Sequence, residues 1–350
     1  MTDLNQMVDM IEKSKVIKFA REYNPNVDCI RLAFDPVVAS HRPLIYYALV
    51  WITNAITMIM LHFLGFSRFE GTVDEDQSTI PFDYDSSTDL SYWHRTPLHP
   101  GNEVPLVFIH GIGVGLVQYT HWIIALSTLS RPVFLIEVPY VANHLFKSEC
   151  MTPDKTYFAL ERIVKRHGYN KATFMGHSLG TMLCAAVCRA NSATSSKSIV
   201  HGLILVDPIC FLTQHSIARN FAYRAPSTAN ELIMDLFAAR EIGTSWYVMR
   251  RFCWDQSIMF PIAWGRRFEK EDASHGGEGR LSPVLPKMTR VFLSRKDNLL
   301  DMGLVAEYLK TQVGLREDQG ELQVMEGMDH GAFLLQPSWF LKVLKAAEEC

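Results

Sequence analysis

The sequence predicts an α/β domain in which a mostly parallel β-sheet is flanked by helices. Three observations carry that expectation. Short, uninterrupted apolar runs recur from residue 105 onward, as in strands buried on both faces. Longer amphipathic stretches separate them, as crossover helices do. The alternation lapses once, between Phe211 and about Leu285, where helical and loop-like sequence reads as an insertion after the strand ending near Val206.

Taken in order, residues 1–66 form an N-terminal extension. A mildly amphipathic helical stretch (Leu4 to Arg21) leads through a Pro-containing connector to the apolar run Leu44–Phe66. That run has no Asp, Glu, Lys or Arg, and as a helix it would extend roughly 34 Å, enough to cross a hydrocarbon core. Thr53, Asn54, Thr57 and His62 oppose a lipid-embedded helix, because each polar group there needs a partner. Three readings stand: a single spanning helix, an interfacial helix, or a helix packed on the following domain. The first two make the protein membrane-associated, and the third leaves it cytoplasmic. Acidic residues from Glu70 to Asp89 mark a solvated loop.

Residues 67–350 form the main domain. Its predicted strands are 105–109, 133–136, 172–175, 203–206, 291–293 and 322–325. Helices are predicted near 115–129, 154–167, 179–190, 300–313 and 332–348, with the insertion at 211–285.

Composition excludes some partners. The formal net charge of −3 supplies no field that would gather nucleic acid or a polyanion. The 7 cysteines are scattered, without Cys-x-x-Cys or Cys/His metal spacing, and no Asn-x-Ser/Thr sequon occurs. Both features suit a protein facing a reducing compartment.

Chemistry is concentrated in Gly176-His177-Ser178-Leu179-Gly180, between a predicted strand and a predicted helix. A serine on a sharp strand-to-helix turn needs small residues two before and two after it, where side chains would collide, and Gly176 and Gly180 fill those places. Such a turn exposes the hydroxyl and aims the free amides of the helix at developing negative charge. Ser178 is therefore the candidate nucleophile. Acyl transfer needs two amides on the tetrahedral oxygen. Leu179 supplies one, and the loop His110-Gly111-Ile112-Gly113 after the first predicted strand supplies the other. Ile112 is the choice there and Gly113 the alternative, while His110 is expected to order the loop.

A serine hydroxyl needs an imidazole to take its proton, and the imidazole needs a carboxylate to fix its tautomer. His330 lies in a Gly-containing loop after the last predicted strand and is the candidate base. Two carboxylates compete to orient it. Asp297 follows the strand at 291–293, and Asp207 follows the strand at 203–206. Asp297 is preferred, with Asp207 the alternative acid.

In this order these residues resemble the α/β-hydrolase superfamily, over about residues 91–350. The resemblance implies a lid-containing serine hydrolase, lipase- or esterase-like, that cleaves a carboxylic ester or thioester through an acyl-enzyme intermediate. No metal or organic cofactor is called for. Members with an Asp nucleophile catalyse other reactions, and Ser178 argues against those. The aromatic content of the lid, including Phe211, Phe221, Trp246, Phe252, Trp254 and Trp264, suits a hydrophobic ester or lipid substrate. Arg250-Arg251 and Arg266-Arg267 would face a carboxylate, a phosphate or solvent. An acyltransferase or cyclase using the same nucleophile, or a non-catalytic ligand-binding homologue, remains as an alternative.

Overall fold

Short apolar runs pair into an eight-stranded sheet in a computed structural model that describes residues 2–350 apart from 16–17, 20–23, 27, 71–89, 100–103, 144–149, 194–197, 215, 255–257 and 261–284. The acidic loop and the Arg266-Arg267 pair therefore lie almost wholly or wholly outside the described residues, as does Trp264. Met1–Asp35 forms one compact unit and Pro36–Cys350 another. The first unit carries helix α1 (Thr2–Lys15), which ends before the predicted Arg21.

In the second unit the strands are β1 (Ser67–Phe69), β2 (Tyr92–Arg95), β3 (Leu106–Ile109), β4 (Val133–Ile136), β5 (Ala172–His177), β6 (Val200–Val206), β7 (Met288–Ser294) and β8 (Leu322–Met325). Their order is β1-β2-β4-β3-β5-β6-β7-β8, with β4 through β8 parallel and β1 and β2 antiparallel at one edge. The parallel strands are those the sequence predicts. β3, β4 and β5 are buried along their whole length because helices cover both faces, so their residues read as unbroken apolar runs. The antiparallel edge was not predicted: β1 has three residues, and β2 reads Tyr-Trp-His-Arg, which carries no apolar alternation.

Helices α3 (Thr120–Leu126), α4 (Pro153–Arg166), α5 (Leu179–Ala193), α6 (Ala229–Met234), α7 (Ile242–Arg250), α8 (Met302–Tyr308) and α9 (Pro337–Glu349) follow α2 (Leu44–Phe63) along the chain. Three predicted helices are divided. The first opens as a 3-10 turn at Gly115–Tyr119, the fourth closes as a π-helical turn at Leu309–Val313, and the last restarts at Pro337 after a 3-10 turn. Pro suits the first turn of a helix because its missing N–H has no intrahelical acceptor there. Behind the sheet, Trp122 packs edge-on against the Phe333 and Phe340 rings, beside Phe108, Met175 and Phe292. Burying each such side chain stabilises the fold by about 1.5–3 kcal/mol.

α2 is terminated by Gly65, whose φ of +83° lets the Phe66 N–H reach the Leu61 carbonyl at 3.0 Å. Tyr47, Val50, Thr57 and Leu61 are buried on one face of the helix. Its polar side chains find acceptors in its own backbone: Thr53 and Thr57 hydroxyls and the Asn54 amide donate to carbonyls one turn back. The opposite face exposes Leu44, Ile45, Leu49, Trp51, Ile52, Ile56, Ile59 and Phe63.

Between β6 and β7 the described residues hold helical segments and no strand. α6 begins with a capping box in which the Thr228 hydroxyl accepts from Glu231 N and the Glu231 carboxylate accepts from Thr228 N. The segment touches the start of α2 through the Arg42 guanidinium on the Leu236 carbonyl and the Tyr46 ring against Phe237.

Candidate active site

The site is assembled at the carboxyl ends of the parallel strands, where β5 turns sharply into α5. A Cβ on Gly176 would lie 2.7 Å from the Gly180 carbonyl carbon and oxygen, and one on Gly180 would lie 2.1 Å from the Ile109 carbonyl oxygen. Only glycine fits either position. Between them Ser178 adopts φ of +52°, a left-handed conformation costly for a residue with a Cβ. Backbone bonds hold it there: Ser178 N donates to Val206 O at 3.1 Å, and Thr181 N donates to Ser178 O at 2.9 Å.

The structure brings together three of the candidate residues. The Ser178 hydroxyl lies 2.8 Å from His330 Nε2, and His330 Nδ1 lies 2.6 Å from Asp297 Oδ2. With Nδ1–H donating to the carboxylate, Nε2 is left to accept the serine proton. The second Asp297 oxygen accepts from Leu299 N at 2.7 Å, which fixes the carboxylate plane. The loops bearing Asp297 and His330 are also tied to each other, since Arg295 N donates to Met325 O and Lys296 N to Met328 O.

Electrostatics follow from this burial. Desolvation opposes a charged imidazole at His330, but the charge of Asp297, the hydrogen bond to it and the charge of Asp207 outweigh that cost. The result is a pKa raised to about 9.

Asp207, the alternative acid, does not reach His330. It is fully buried with φ of +46°, and backbone amides occupy both of its oxygens: Ser294 N at 2.9 Å on Oδ1 and Gly331 N at 2.7 Å on Oδ2. Burial pushes its carboxyl up. The interaction with His177, the charge of His330 and the Gly331 amide overcome that and hold it below the ordinary value.

The backbone bonds of the loop after β3 separate the candidate oxyanion donors. Gly111 N donates to the Tyr119 hydroxyl at 2.9 Å, Gly113 N to Val141 O at 3.1 Å, and Val114 N to Gln118 Oε1 at 3.3 Å. The alternative donor Gly113 is thus already engaged. Among the described residues the Ile112 and Leu179 amides have no such acceptor, and both residues line the same cavity as Ser178. His110 orders this loop: its Nδ1 contacts Gly111 O at 2.8 Å, and its Nε2 accepts from Val138 N at 3.0 Å.

That cavity, about 70 Å³, is walled by Ile209, Ile217, Phe221, Met234, Ala238, Val248, Phe252 and Trp254, with His177, Leu299 and His330 completing it. Its lining is overwhelmingly apolar. Arg250 and Arg251 are not among its walls. Arg250 donates to Met249 O, and Arg251 sits over the Trp246 ring. Among the described residues no group of three or more His, Cys, Asp or Glu is placed to hold a metal ion.

Residues 104–294 match the family model for the alpha/beta hydrolase fold, more than half of the 350-residue chain, and the chain belongs to that family. No curated protein sequence matches it. Solved structures with a similar fold include an esterase from the archaeon Pyrobaculum calidifontis, at TM-score 0.53 and 13% identity, covering 99% of this chain and 97% of that one. An esterase from Mycobacterium marinum matches at TM-score 0.52 and 14% identity, over 86% and 88% of the two chains. A carboxylesterase from Bacillus subtilis matches at TM-score 0.50 and 11% identity, over 85% and 96%.

Sequence reasoning missed the polar residues beneath the site, Tyr119 and His177. Tyr119 stands 58 residues from the histidine it contacts, and nothing in the local pattern joins them.

Proposed function

We propose that this protein is a serine hydrolase that cleaves a hydrophobic carboxylic ester or thioester through an acyl-enzyme. The observation that carries the reading is the continuous line from the Ser178 hydroxyl through His330 to Asp297, at 2.8 and 2.6 Å. The esterases that share its fold are consistent with it.

Ser178 Oγ attacks the carbonyl carbon as its proton passes to His330 Nε2, and the carbonyl electron pair moves onto oxygen. The Leu179 and Ile112 amides donate to that oxyanion. When the tetrahedral intermediate collapses, the bond to the leaving alcohol or thiol breaks and His330 returns the proton to it. Water, deprotonated by His330, then attacks the acyl carbon. The second tetrahedral intermediate collapses as the bond between its carbon and Ser178 Oγ breaks, His330 returns the proton to Oγ, and the carboxylic acid leaves. Asp297 keeps the Nδ1–H tautomer and stabilises the imidazolium throughout.

An apolar cavity of about 70 Å³ is smaller than the roughly 150 Å³ that accommodates benzene in an engineered protein cavity, so the conformation described fits a short acyl group. We read the chain between β6 and β7 as a cap that must shift for longer chains. α2, uncharged along its exposed face, lies on a lipid surface with that face down, its other face remaining packed on the domain.

Labelling with a fluorophosphonate probe, in the wild type and in Ser178→Ala, tests the nucleophile. Equal labelling sinks it. A panel of p-nitrophenyl and thioester substrates tests turnover, and labelling without any turnover favours a ligand-binding role over catalysis.

A further inference from the structure

A buried chain of polar contacts runs beneath the candidate triad and joins its separate loops. Gly111 N donates to the Tyr119 hydroxyl at 2.9 Å, which leaves that hydroxyl to donate its proton to His177 Nδ1, 2.6 Å away. His177 is then the Nε2–H tautomer, and Nε2 points toward Asp207 Oδ2 at 3.7 Å. Asp207 in turn accepts from Gly331 N and from Ser294 N. The oxyanion loop, the nucleophile turn, the strand bearing the acid and the loop bearing the base thus meet on three side chains. All three are buried.

Burial and the nearby charge of His330 keep His177 below its ordinary pKa in spite of Asp207, so it is held neutral. A neutral imidazole suits this place, because a cation there would oppose the imidazolium that His330 must form, their rings being 5.5 Å apart. Tightly packed surroundings add to the constraint: a Cβ on Gly111 would meet Ser178 Cβ at 2.8 Å.

We propose that Tyr119, His177 and Asp207 are positioning residues that hold the Ile112 amide, the Ser178 hydroxyl and the His330 imidazole in one fixed geometry, with the Asp207 carboxylate also stabilising the His330 imidazolium. The proposal rests on the reading of Ser178 as nucleophile and His330 as base. It assigns Asp207 a second task beside that of Asp297: one carboxylate selects the tautomer, while the other ties down the loops and adds negative charge.

The test is a double-mutant cycle on the full chain with Tyr119→Phe, Asp207→Asn and both together, read as the second-order rate of fluorophosphonate labelling across pH. Thermal unfolding checks that each variant folds. Each single change should slow labelling by about 10- to 100-fold, since small misplacements of reacting groups cost that much. The double variant should be slower than the worse single by less than about threefold, because both act through His177.

The groups facing His330 from the neighbouring elements are Asp297, Asp207 and His177. Removing the Asp207 charge should therefore move the acid limb of the labelling profile down by about half a pH unit or more, whereas Tyr119→Phe, which alters no charge, should leave it in place. Unslowed singles, a multiplicative double or an unmoved limb in Asp207→Asn would overturn the proposal. If Asp207→Asn does not fold, His177→Gln completes the cycle, and a multiplicative result there overturns it equally. Labelling that survives Ser178→Ala is a different failure, that of the nucleophile assignment itself.

Discussion

Gly180 and Ile109 approach so closely that a Cβ on the glycine would fall 2.1 Å from the isoleucine carbonyl oxygen. The clash is with strand backbone, which cannot swing aside as a side-chain tip can. Gly180→Ala should consequently lower stability by about 3 kcal/mol or more, the range of severe overpacking and strain. Chemical denaturation reads it directly, and a midpoint equal to that of the wild type would contradict the close approach.

The raised pKa of His330 fixes the sign of the pH dependence. An imidazolium cannot accept the Ser178 proton, so labelling and hydrolysis should climb with pH, with a midpoint nearer 9 than 6.5. Stability runs the other way. A histidine whose pKa is raised by folding stabilises the protein fully below its unfolded value near 6.5, and that contribution disappears as pH rises through about 9. The fall in melting temperature over that window should be smaller in His330→Ala than in the wild type.

Asp297→Asn replaces the acceptor at His330 Nδ1 with an amide that can impose the wrong tautomer. A loss on the order of 10⁴ in kcat is expected, with the binding constant little changed. A reduction of only a few fold, measured beside a severe one in Asp207→Asn, would reverse the roles given to the two carboxylates.

Chain length is the next test. With p-nitrophenyl esters, kcat/KM should be highest for acetate to butyrate and should fall for long chains, following the cavity of about 70 Å³. A maximum at palmitate would refute the reading of this cavity as the acyl site.

The exposed face of α2 can be charged without disturbing its packed face. Ile52→Asp with Ile56→Asp and Ile59→Asp, all on exposed positions, should abolish co-sedimentation with phosphatidylcholine vesicles while fluorophosphonate labelling in solution persists. Binding that survives the triple change would place membrane attachment elsewhere or refute it.

Much of this arrangement is legible in the sequence, because the relevant signals are local. Glycines at 176 and 180 surround a serine between a strand and a helix, and His330 follows the last strand. The competition between Asp297 and Asp207 was not legible. Both follow buried strands, and the difference lies in which carboxylate has its oxygens occupied by backbone amides, a property of tertiary structure. The same holds for Gly113, whose amide is withdrawn by Val141 from a different strand end. β1 and β2 escaped notice because β1 is an edge strand of three residues, and β2, though paired on both sides, sets buried Tyr92 and Trp93 beside partly exposed His94 and Arg95 and so shows no apolar repeat.

Val206 and Phe292 are partners across the adjacent strands β6 and β7, yet more than eighty residues separate them in the chain. The two strands are parallel, so the segment that departs after Val206 crosses back to Met288, which lies opposite Gly202, and the sheet fixes only those two ends. Such a segment can be lengthened, shortened or exchanged with little demand on the sheet. Ser178, His330 and Asp297 all lie outside that segment, so changes within it leave the proposed catalytic residues on their own strand ends.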